Sequence, residues 1–433
     1  MTMSEAVRSV EVRVPGDKSI THRALILGAL ADGVSRVTHG LDSADTRATA
    51  GVLLSLGARI HRDDDAVTVT GRGLQHLSPP DEILDCANSG TTARLMMGVL
   101  AGHPFRSTLD GDTSLRGRPR RRVTDPLAAM GASFEELAEP DRLPITVEGG
   151  RLRSIDHCSA RPSAQVKSSL LLAALTGGCH VSIEEPVQSR DHTERLLAAL
   201  GVPIGFDGEA PHRVRMEPIA SLPPFDIPVP GDISSTAFLV ALGLLTPGLE
   251  IRIPGVGVNP TRTGFLDAVA RMGGRVALEA TTGAGGEPVA TVSVRLADAL
   301  RAVDITAAEV PRMIDELPIF AALAARAEGE SRITGAAELR VKESDRIASL
   351  VANLRAVGVE AEQLADGLVV RGTDRPLAGR VHAGGDHRIA MAFGVLAALP
   401  GSRITIDDPA VVDVSFPAFW QILAHCAGTD PRA

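Results

Sequence analysis

The sequence lacks the features that mark zinc-binding, secreted and nucleic-acid-binding proteins. Its four cysteines form no CxxC pair and no cysteine–histidine spacing typical of a metal site. Lys and Arg number 44 against 53 Asp and Glu, so the net charge is −9 and no general basic field exists for nucleic acid. The N-terminus has no basic segment followed by an apolar one. We therefore expect free thiols in a cytoplasmic protein that binds no nucleic acid.

Membrane spans and the common nucleotide-binding motifs are also missing from the sequence. The longest uncharged apolar stretch, residues 233–249, is interrupted by Gly243, Pro247 and Gly248, so we expect no membrane segment. There is no Walker A loop, and no GxGxxG follows a predicted strand. These absences predict chemistry that needs neither a cofactor nor a bound metal.

The chain contains six copies of one repeated sequence unit. An almost wholly apolar run opens with small polar residues and leads into a short strand, as in KSITHRALILGALADGVSRVTHG from Lys18. Similar runs begin at Asn88, Ser163, Gly231, Asp315 and Gly385, and amphipathic segments lie between them. A helix that is apolar on all sides is a buried helix. A spacing of roughly 72 residues between copies is typical of a repeat architecture.

The repeats predict an α/β (α+β) protein of two globular domains, each with three units packed around their buried helices. The similar segments VPGDKS at 14–19 and VPGDIS at 229–234 indicate where the chain crosses between domains. We therefore expect a first domain at 16–230 and a second that combines 1–15 with 231–433. If several buried helices begin at one cleft between the domains, their N-termini favour an anionic ligand there.

The densest group of charges is RVKESDR, residues 340–346, just ahead of an amphipathic run. On one continuous helix, Lys342 and Arg346 would share a face, with Glu343 on the neighbouring edge. Cations also stand at the openings of the buried helices, and a guanidinium inside an apolar helix, such as Arg23, needs a partner. Together these positions predict a site for one or two small anions, with the cations Lys18, Arg23, Arg118, Lys342, Arg346 and Arg388. Asp315 and Glu343 are available for proton transfer.

These motifs resemble the 5-enolpyruvylshikimate-3-phosphate synthase family, the 3-phosphoshikimate 1-carboxyvinyltransferases. The segments that carry the resemblance run from about Val14 to Pro417 and include PGDKSITHRA, DCANSGTTARL, SAQVKSSLLLA, SRDHTER, MIDELP, ELRVKESDRI and GDHRIAMAF. The resemblance implies two domains of three βαβαββ units each that close on the substrates. It also implies transfer of the enolpyruvyl group from phosphoenolpyruvate to the 5-hydroxyl of shikimate 3-phosphate, with release of phosphate.

The same resemblance implies roles for individual residues. Asp315 is the expected base, Glu343 the expected acid, and Lys18 the cation that stabilises charge between the substrates. The expected contacts of shikimate 3-phosphate are Lys18, Ser19, Arg23, Ser163, Ala164, Gln165, Ser189, Asp315 and Lys342. The expected contacts of phosphoenolpyruvate are Lys18, Gly90, Arg118, Gln165, Arg346 and Arg388. Both substrates are small molecules, no cofactor or metal is implied, and we expect the protein to act as a monomer.

The sequence departs from the family pattern at four positions. Ala87 stands where glycine is common, and Arg190 where some members have tyrosine, a residue that this chain lacks altogether. Glu338 and Val414 stand where some members have asparagine and lysine. These departures bear on single contacts more than on the reaction.

Two alternatives remain open at this point. A sister family with the same fold transfers enolpyruvyl to UDP-N-acetylglucosamine, and it usually carries a cysteine on a loop that corresponds to the region near Thr113. A non-catalytic anion-binding protein could keep the cations of the fold, but it would be expected to lose Asp315 or Glu343. The sequence retains both acids.

Overall fold

The computed structural model of the protein describes residues 7–64, 66–207, 212–296 and 299–432. These residues divide into two compact units. We call Gly16–Val229 with Gly283–Glu287 the N-terminal unit, and Met1–Pro15, Pro230–Thr282 and Pro288–Ala433 the C-terminal unit. Each unit has its own hydrophobic core.

The helices alternate between buried and amphipathic along the chain. They are α1 (Lys18–Leu30), α2 (Ala44–Ser55), α3 (Gly90–Ala101), α4 (Thr113–Arg116), α5 (Arg121–Met130), α6 (Ala164–Gly177), α7 (His192–Ala199), α8 (Ile233–Leu245), α9 (Gly264–Arg271), α10 (Val310–Met313), α11 (Leu317–Ala324), α12 (Arg346–Ala356), α13 (His387–Ala397) and α14 (Phe419–Ala427). Two 3-10 segments, Ala337–Val341 and Pro409–Val414, precede α12 and α14.

The predicted buried helices are α1, α3, α6, α8, α11 and α13, and they form the centres of the two cores. In α1 every residue from Ile20 to Leu30 is buried, and in α11 all eight residues are buried. Polar caps hold several of these helices at their starts: Asp17, Ser89, Asp232 and Asp386 each accept a backbone N–H of the first turn. The all-apolar pattern therefore identified the helices that make the cores.

The strands are short and form small sheets. They are β1 (Arg8–Glu11), β2 (Asp32–Thr38), β3 (Arg59–Arg62), β4 (Ala66–Arg72), β5 (Leu84–Asp85), β6 (Arg106–Asp110), β7 (Ser133–Glu136), β8 (Ile145–Glu148), β9 (Ile155–Cys158), β10 (Val181–Glu185), β11 (Ile204–Asp207), β12 (His212–Met216), β13 (Asp226–Pro228), β14 (Leu249–Gly257), β15 (Arg275–Ala284), β16 (Glu287–Arg295), β17 (Glu330–Ile333), β18 (Glu360–Gln363), β19 (Leu368–Arg371), β20 (Ala378–Val381) and β21 (Arg403–Ile406).

The sheets of the N-terminal unit have the strand orders β13-β2-β4-β3, β5-β6-β8-β7 and β11-β12-β10-β9. Those of the C-terminal unit are β1-β14-β16-β15, β17-β19-β18 and β20-β21. Within a repeat, the strand before the buried helix pairs in parallel with the strand after it, as β5 does with β6 and β9 with β10. Parallel neighbours need a crossover connection, and the buried helix of the repeat supplies it.

The first and fourth repeats obtain their leading strands from elsewhere in the chain. The N-terminal strand β1 pairs in parallel with β14, which follows α8 in the fourth repeat. Conversely, β13, from the end of the third repeat, pairs in parallel with β2, which follows α1. The similar segments VPGDKS and VPGDIS therefore lie where the chain leaves one leading strand and enters a buried helix of a different unit.

The sequence also made predictions about the cysteines, membrane spans and metal sites. All four cysteines are free thiols, as predicted. Among the described residues, no helix combines the length and apolarity needed to cross a bilayer. Within the same ranges, no group of three or more His, Cys, Asp or Glu side chains is arranged to hold a metal ion.

Candidate active site

The start of α1 places two of the predicted cations. Asp17 accepts the backbone N–H of Ile20 at 2.9 Å and so fixes the first turn. Lys18, the first residue of the helix, lies with its Nζ 2.7 Å from Asp45 Oδ2, and its side chain remains 19% exposed. The ammonium group of Lys18 is thus held by the Asp45 carboxylate and still reaches solvent, as a ligand-binding cation requires.

Arg23 is buried one turn further along α1, and its partners are neutral. Its Nε donates to Thr193 Oγ1 at 2.6 Å, Nη2 to Ser168 Oγ at 2.8 Å, and Nη1 to the carbonyl of Ser19 at 2.8 Å. Burial lowers the pKa of Arg23 to about 10, although nearby acids, Glu194 first, oppose that shift. Hydroxyls and a carbonyl carry no net charge, so these hydrogen bonds do not neutralise the guanidinium. Its positive charge can therefore attract an anion.

The start of α3 brings two arginines around Gly90. A side chain at Gly90 would place its Cβ 2.9 Å from Arg94 Nη1 and 3.2 Å from Arg118 Nη1. Arg118 Nη2 donates to Asn88 Oδ1 at 2.7 Å, and Arg94 Nη1 donates to Gln165 Oε1 at 2.8 Å. The glycine therefore leaves room beside two guanidinium groups at a helix N-terminus, which suits a small anion.

Gln165 and Ser163 connect this group to α6. Gln165 Nε2 donates to Thr91 Oγ1 at 3.2 Å, while Ser163 and Ala164 lie at the N-cap and first position of α6. Ser163 makes no side-chain capping bond, and its backbone N–H donates to Glu185 Oε1 at 2.9 Å. Ser189 is buried and also bonds to Glu185, through both its N–H and its hydroxyl. Gln165 is therefore linked to the residues around Gly90, while Ser163 and Ser189 are linked to each other through Glu185.

In the C-terminal unit, Arg346 is the centre of the predicted site. Its Nε donates to Asp386 Oδ2 at 2.7 Å, and its Nη2 donates to Glu343 Oε2 at 2.6 Å. The side chain is fully buried, and although burial alone lowers the pKa of an arginine, Asp386 and Glu343 raise the pKa of Arg346. Arg346 Nη1 has no hydrogen-bond partner within the described ranges and lies 3.7 Å from Asp315 Oδ1.

Asp315 lies among three cations. Its Oδ1 is 3.6 Å from Lys342 Nζ and 3.7 Å from Arg346 Nη1, and its Oδ2 is 3.8 Å from Arg388 Nη2. Arg388 also donates from Nη1 to the Asp315 carbonyl at 2.8 Å. The carboxylate is 13% exposed, so it can reach a ligand while the cations hold it in place.

The residue after Asp315 anchors this loop to the core. Glu316 is buried at the start of α11 and accepts a hydrogen bond from Ser234. Arg262 Nη2 donates to the same Ser234 hydroxyl at 2.7 Å and lies 3.6 Å from Glu316 Oε1. Asp315 therefore projects from a segment whose neighbouring side chain is fixed by a buried ion pair.

The expectation that Lys342 and Arg346 share one helix face is wrong. The 3-10 segment ends at Val341, and α12 begins only at Arg346. Asp345 is the N-cap of α12 and accepts the N–H of Ala348 at 3.1 Å, so Lys342 and Glu343 lie in the turn before the helix. The turn still brings both residues to the Asp315 and Arg346 group, Lys342 beside Asp315 and Glu343 beside Arg346.

We call the predicted site residues of the N-terminal unit the N-terminal cluster, and Asp315, Lys342, Glu343, Arg346 and Arg388 the C-terminal cluster. Several residues that hold the two clusters were not among the predicted site residues. Asp386 is fully buried, holds Arg346 at two points, and its pKa is kept low by Arg346 despite burial. Asp45 and Glu185 are likewise partners of predicted residues. Arg120 is buried beside Arg94 and Arg118, and burial together with those two charges lowers its pKa to about 9. The signal in the sequence is an acid at a helix start, as in GGDHR, because such an acid can accept both a backbone N–H and an arginine N–H.

Of the four positions that depart from the family pattern, Ala87 is the one whose backbone conformation the structure explains. Ala87 has φ 49°, the left-handed conformation that glycine adopts without strain. This explains why glycine is common there. Arg190 is half-buried next to Ser189, Glu338 lies in the first 3-10 segment, and Val414 ends the second.

Comparisons with known proteins agree with the fold and the motifs. A family model described as EPSP synthase (3-phosphoshikimate 1-carboxyvinyltransferase) matches residues 4–423. The 3-phosphoshikimate 1-carboxyvinyltransferase of Desulforudis audaxviator is 47% identical over 415 residues, which cover 95% of this chain and 96% of the relative. The structure of EPSP synthase from Acinetobacter baumannii superposes with a TM-score of 0.84 at 36% identity, covering 97% of this chain and 95% of that one.

A more distant structure shares the fold alone. The enolpyruvyl transferase NikO from Streptomyces tendae has a TM-score of 0.75 at 20% identity and covers 97% of this chain and 95% of its own. The family match and the 47% identity extend over nearly the whole chain, and the fold agrees with that of the solved structures. This protein is therefore a member of the EPSP synthase (3-phosphoshikimate 1-carboxyvinyltransferase) family.

Proposed function

We propose that the protein transfers the enolpyruvyl (1-carboxyvinyl) group of phosphoenolpyruvate to the 5-hydroxyl of shikimate 3-phosphate and releases inorganic phosphate. This reaction belongs to the shikimate pathway to chorismate and the aromatic amino acids. The observation that carries the assignment, beyond family membership, is Asp315 among Lys342, Arg346 and Arg388, with Glu343 on the same arginine. A site for two anions and two proton transfers needs these groups.

The addition step requires a base at the hydroxyl and an acid at the enol carbon. In our proposal the oxygen of the 5-hydroxyl bonds to C2 of phosphoenolpyruvate, and Asp315 accepts the proton that this hydroxyl loses. Glu343 delivers a proton to C3. Loss of a proton from C3 and departure of phosphate from C2 then restore the double bond. Positioned acids and bases of this kind contribute about 10²–10⁴-fold to a rate.

The cations stabilise charge rather than transfer protons. We propose that Lys18 stabilises the charge that develops in the addition step. We assign shikimate 3-phosphate to Lys18, Ser19, Arg23, Ser163, Ala164, Gln165, Ser189, Asp315 and Lys342, and phosphoenolpyruvate to Lys18, Gly90, Arg118, Gln165, Arg346 and Arg388. Arg23, whose hydrogen-bond partners are neutral, and Arg346, whose Nη1 makes no hydrogen bond within the described residues and lies 3.7 Å from Asp315 Oδ1, support these assignments. The substrates are metabolites, and we propose that the protein acts as a cytoplasmic monomer.

Phosphate release by the purified protein tests the proposal. The reaction contains shikimate 3-phosphate and phosphoenolpyruvate without added metal, and a parallel reaction replaces the acceptor by UDP-N-acetylglucosamine. We expect release with shikimate 3-phosphate alone. Release only with the UDP-sugar would assign the sister activity. Binding of shikimate 3-phosphate without any release would assign a non-catalytic anion-binding protein.

A further inference from the structure

Glu185 is a buried carboxylate at the end of β10 that no catalytic step uses. Its side chain is 2% exposed, yet it accepts hydrogen bonds from two serines predicted to contact shikimate 3-phosphate. Oε1 accepts the Ser163 N–H at 2.9 Å and the Ser189 hydroxyl at 2.8 Å, and Oε2 accepts the Ser189 N–H at 3.2 Å. One carboxylate therefore connects two segments, before α6 and before α7, that are 26 residues apart in sequence.

Lys167 completes this arrangement from the first turn of α6. Its Nζ lies 2.9 Å from Glu185 Oε2 and 2.8 Å from Glu194 Oε1, and it donates to the Ser189 carbonyl at 3.3 Å. Ser189 is therefore held at its N–H, its hydroxyl and its carbonyl. Each of these bonds is made with Lys167 or Glu185.

Stability alone does not explain why these charges are buried. Well-packed apolar residues of similar size usually stabilise a core as well as a buried ion pair or better. Burial raises the pKa of Glu185, but Lys167 and the serine donors outweigh burial and keep that pKa low. The group thus stays an ionised acceptor, which is what several simultaneous N–H and O–H donors require.

The hydrogen bonds also fix the backbone at the start of α6. The Ser163 N–H donates to Glu185, while the Ser163 hydroxyl makes no capping bond to the helix. The buried carboxylate thereby sets the position of the residue that precedes the α6 N-terminus. A backbone held in this way spares a ligand the cost of ordering the site.

We propose that Glu185 is a positioning residue for shikimate 3-phosphate, since its buried carboxylate, paired with Lys167, holds Ser163 and Ser189 in the geometry that receives the substrate. This inference rests on the proposed function. Glu194 supplies a matched control within the structure. It is equally buried and contacts the same Lys167 ammonium, but it makes no hydrogen bond to Ser163 or Ser189 within the described ranges.

The test compares Glu185→Gln with Glu194→Gln. Each change removes one carboxylate charge from Lys167, but only Glu185→Gln sets an amide NH₂ among the serine and lysine donors. We expect Glu185→Gln to raise the KM for shikimate 3-phosphate about 10-fold with the KM for phosphoenolpyruvate within about 2-fold of wild type. Glu194→Gln also removes the acid that acts most strongly on Arg23, so it should not raise the KM for shikimate 3-phosphate, and the KM for phosphoenolpyruvate should stay within about 2-fold of wild type. Equal increases in the two variants would reduce Glu185 to a charge partner of Lys167 and overturn the proposal.

A second variant covers loss of folding in Glu185→Gln. Glu185→Asp keeps the charge beside Lys167 but withdraws the oxygens from the serines, and we expect it to weaken shikimate 3-phosphate binding as well. Wild-type affinity in Glu185→Asp would contradict the proposal. Calorimetric titration with shikimate 3-phosphate alone separates this inference from the proposed function, because it needs no turnover. Wild-type binding without turnover would refute the function only, and wild-type protein that does not bind this ligand would refute both.

Discussion

The two units each bury an arginine of the predicted site, and the two arginines are treated in opposite ways. Arg23 in the N-terminal unit bonds to hydroxyls and a carbonyl, and burial lowers its pKa. Arg346 in the C-terminal unit bonds to Asp386 and Glu343, whose charges raise its pKa in spite of burial. The same residue type therefore has neutral hydrogen-bond partners in the N-terminal unit and carboxylate partners in the C-terminal unit.

The difference indicates what each cluster is suited to do. A buried cation with neutral partners gains most when an anion arrives, because the anion supplies the missing countercharge. A cation between carboxylates instead fixes those carboxylates and sets the field in which protons move. We therefore infer that the N-terminal cluster mainly binds phosphate, whereas the C-terminal cluster mainly organises acids and bases.

The largest effect is expected at the carboxylate among the C-terminal cations. Asp315→Asn keeps the size of the side chain but removes the proposed base, so kcat should fall about 10²–10⁴-fold. Binding of shikimate 3-phosphate should persist, as measured by calorimetry. The matched measurement is single-turnover phosphate release, which isolates chemistry from product release. A variant that turns over near the wild-type rate would remove Asp315 from the mechanism and with it the contrast between the clusters.

The two arginines can be compared directly by replacing each with methionine. Arg346→Met leaves Asp386 and Glu343 without their cation, which should cost about 3–5 kcal/mol of unfolding free energy. Arg23→Met removes a cation whose partners are neutral, so the loss should be smaller, about 1–3 kcal/mol for unpaired hydroxyls and carbonyl. Urea unfolding of both variants at neutral pH measures the difference. Equal losses would mean that the partners of the arginines do not set their contribution.

The repeat pattern and the family motifs predicted the buried helices and the cations at the starts of those helices. The buried helices were identifiable because they are apolar on every side and open with capping residues such as Asp17 and Ser89. The cations at those openings were identifiable for the same reason. Both signals are local, so a single window of sequence contains them.

The partners of those cations were not identifiable in the same way. Lys18 pairs with Asp45, 27 residues away, and Arg346 with Asp386, 40 residues away. No local pattern specifies which acid a folded chain brings to a given cation. The start of α12 differs from the prediction for a related reason. Asp345 caps the first turn of α12, and this excludes Lys342 and Glu343 from the helix.

Acid sensitivity offers a further comparison of the two units. His22 in the N-terminal unit is fully buried, its Nδ1 bonds to Thr49 at 2.7 Å, and burial lowers its pKa from 6.5 to about 3. Between these two values the unfolded chain binds a proton that the folded chain does not, so stability falls as pH falls from about 6.5. At pH 5 the loss should be about 2 kcal/mol.

Urea midpoints at pH 7 and pH 5 measure this loss. His22→Asn can keep the bond to Thr49 but cannot titrate, so its midpoint should change less between the two pH values than that of the wild type. Asp386 in the C-terminal unit has a lowered pKa and contributes stability that is lost only at still lower pH. An unchanged pH slope in His22→Asn would show that His22 is not the group responsible.

The smallest expected effect concerns the turns that lead into α3 and α13. The C-terminal turn uses Gly384 and Gly385, at φ 60° and 74°, whereas the N-terminal turn places Ala87 at φ 49°. An alanine in the left-handed conformation is strained by about 1–2 kcal/mol, and glycine removes this strain. Part of the stabilisation is offset because glycine has more conformational freedom in the unfolded chain.

Ala87→Gly should therefore stabilise the protein by about 0.5–1 kcal/mol in urea unfolding. Ala50→Gly is the control, since Ala50 is equally half-buried but lies inside α2, where glycine should destabilise by about 1 kcal/mol. Effects of the same sign in both variants would mean that backbone strain at Ala87 is not what separates the two turns. Opposite signs would identify Ala87 as a strained turn that precedes the proposed phosphoenolpyruvate contact at Gly90.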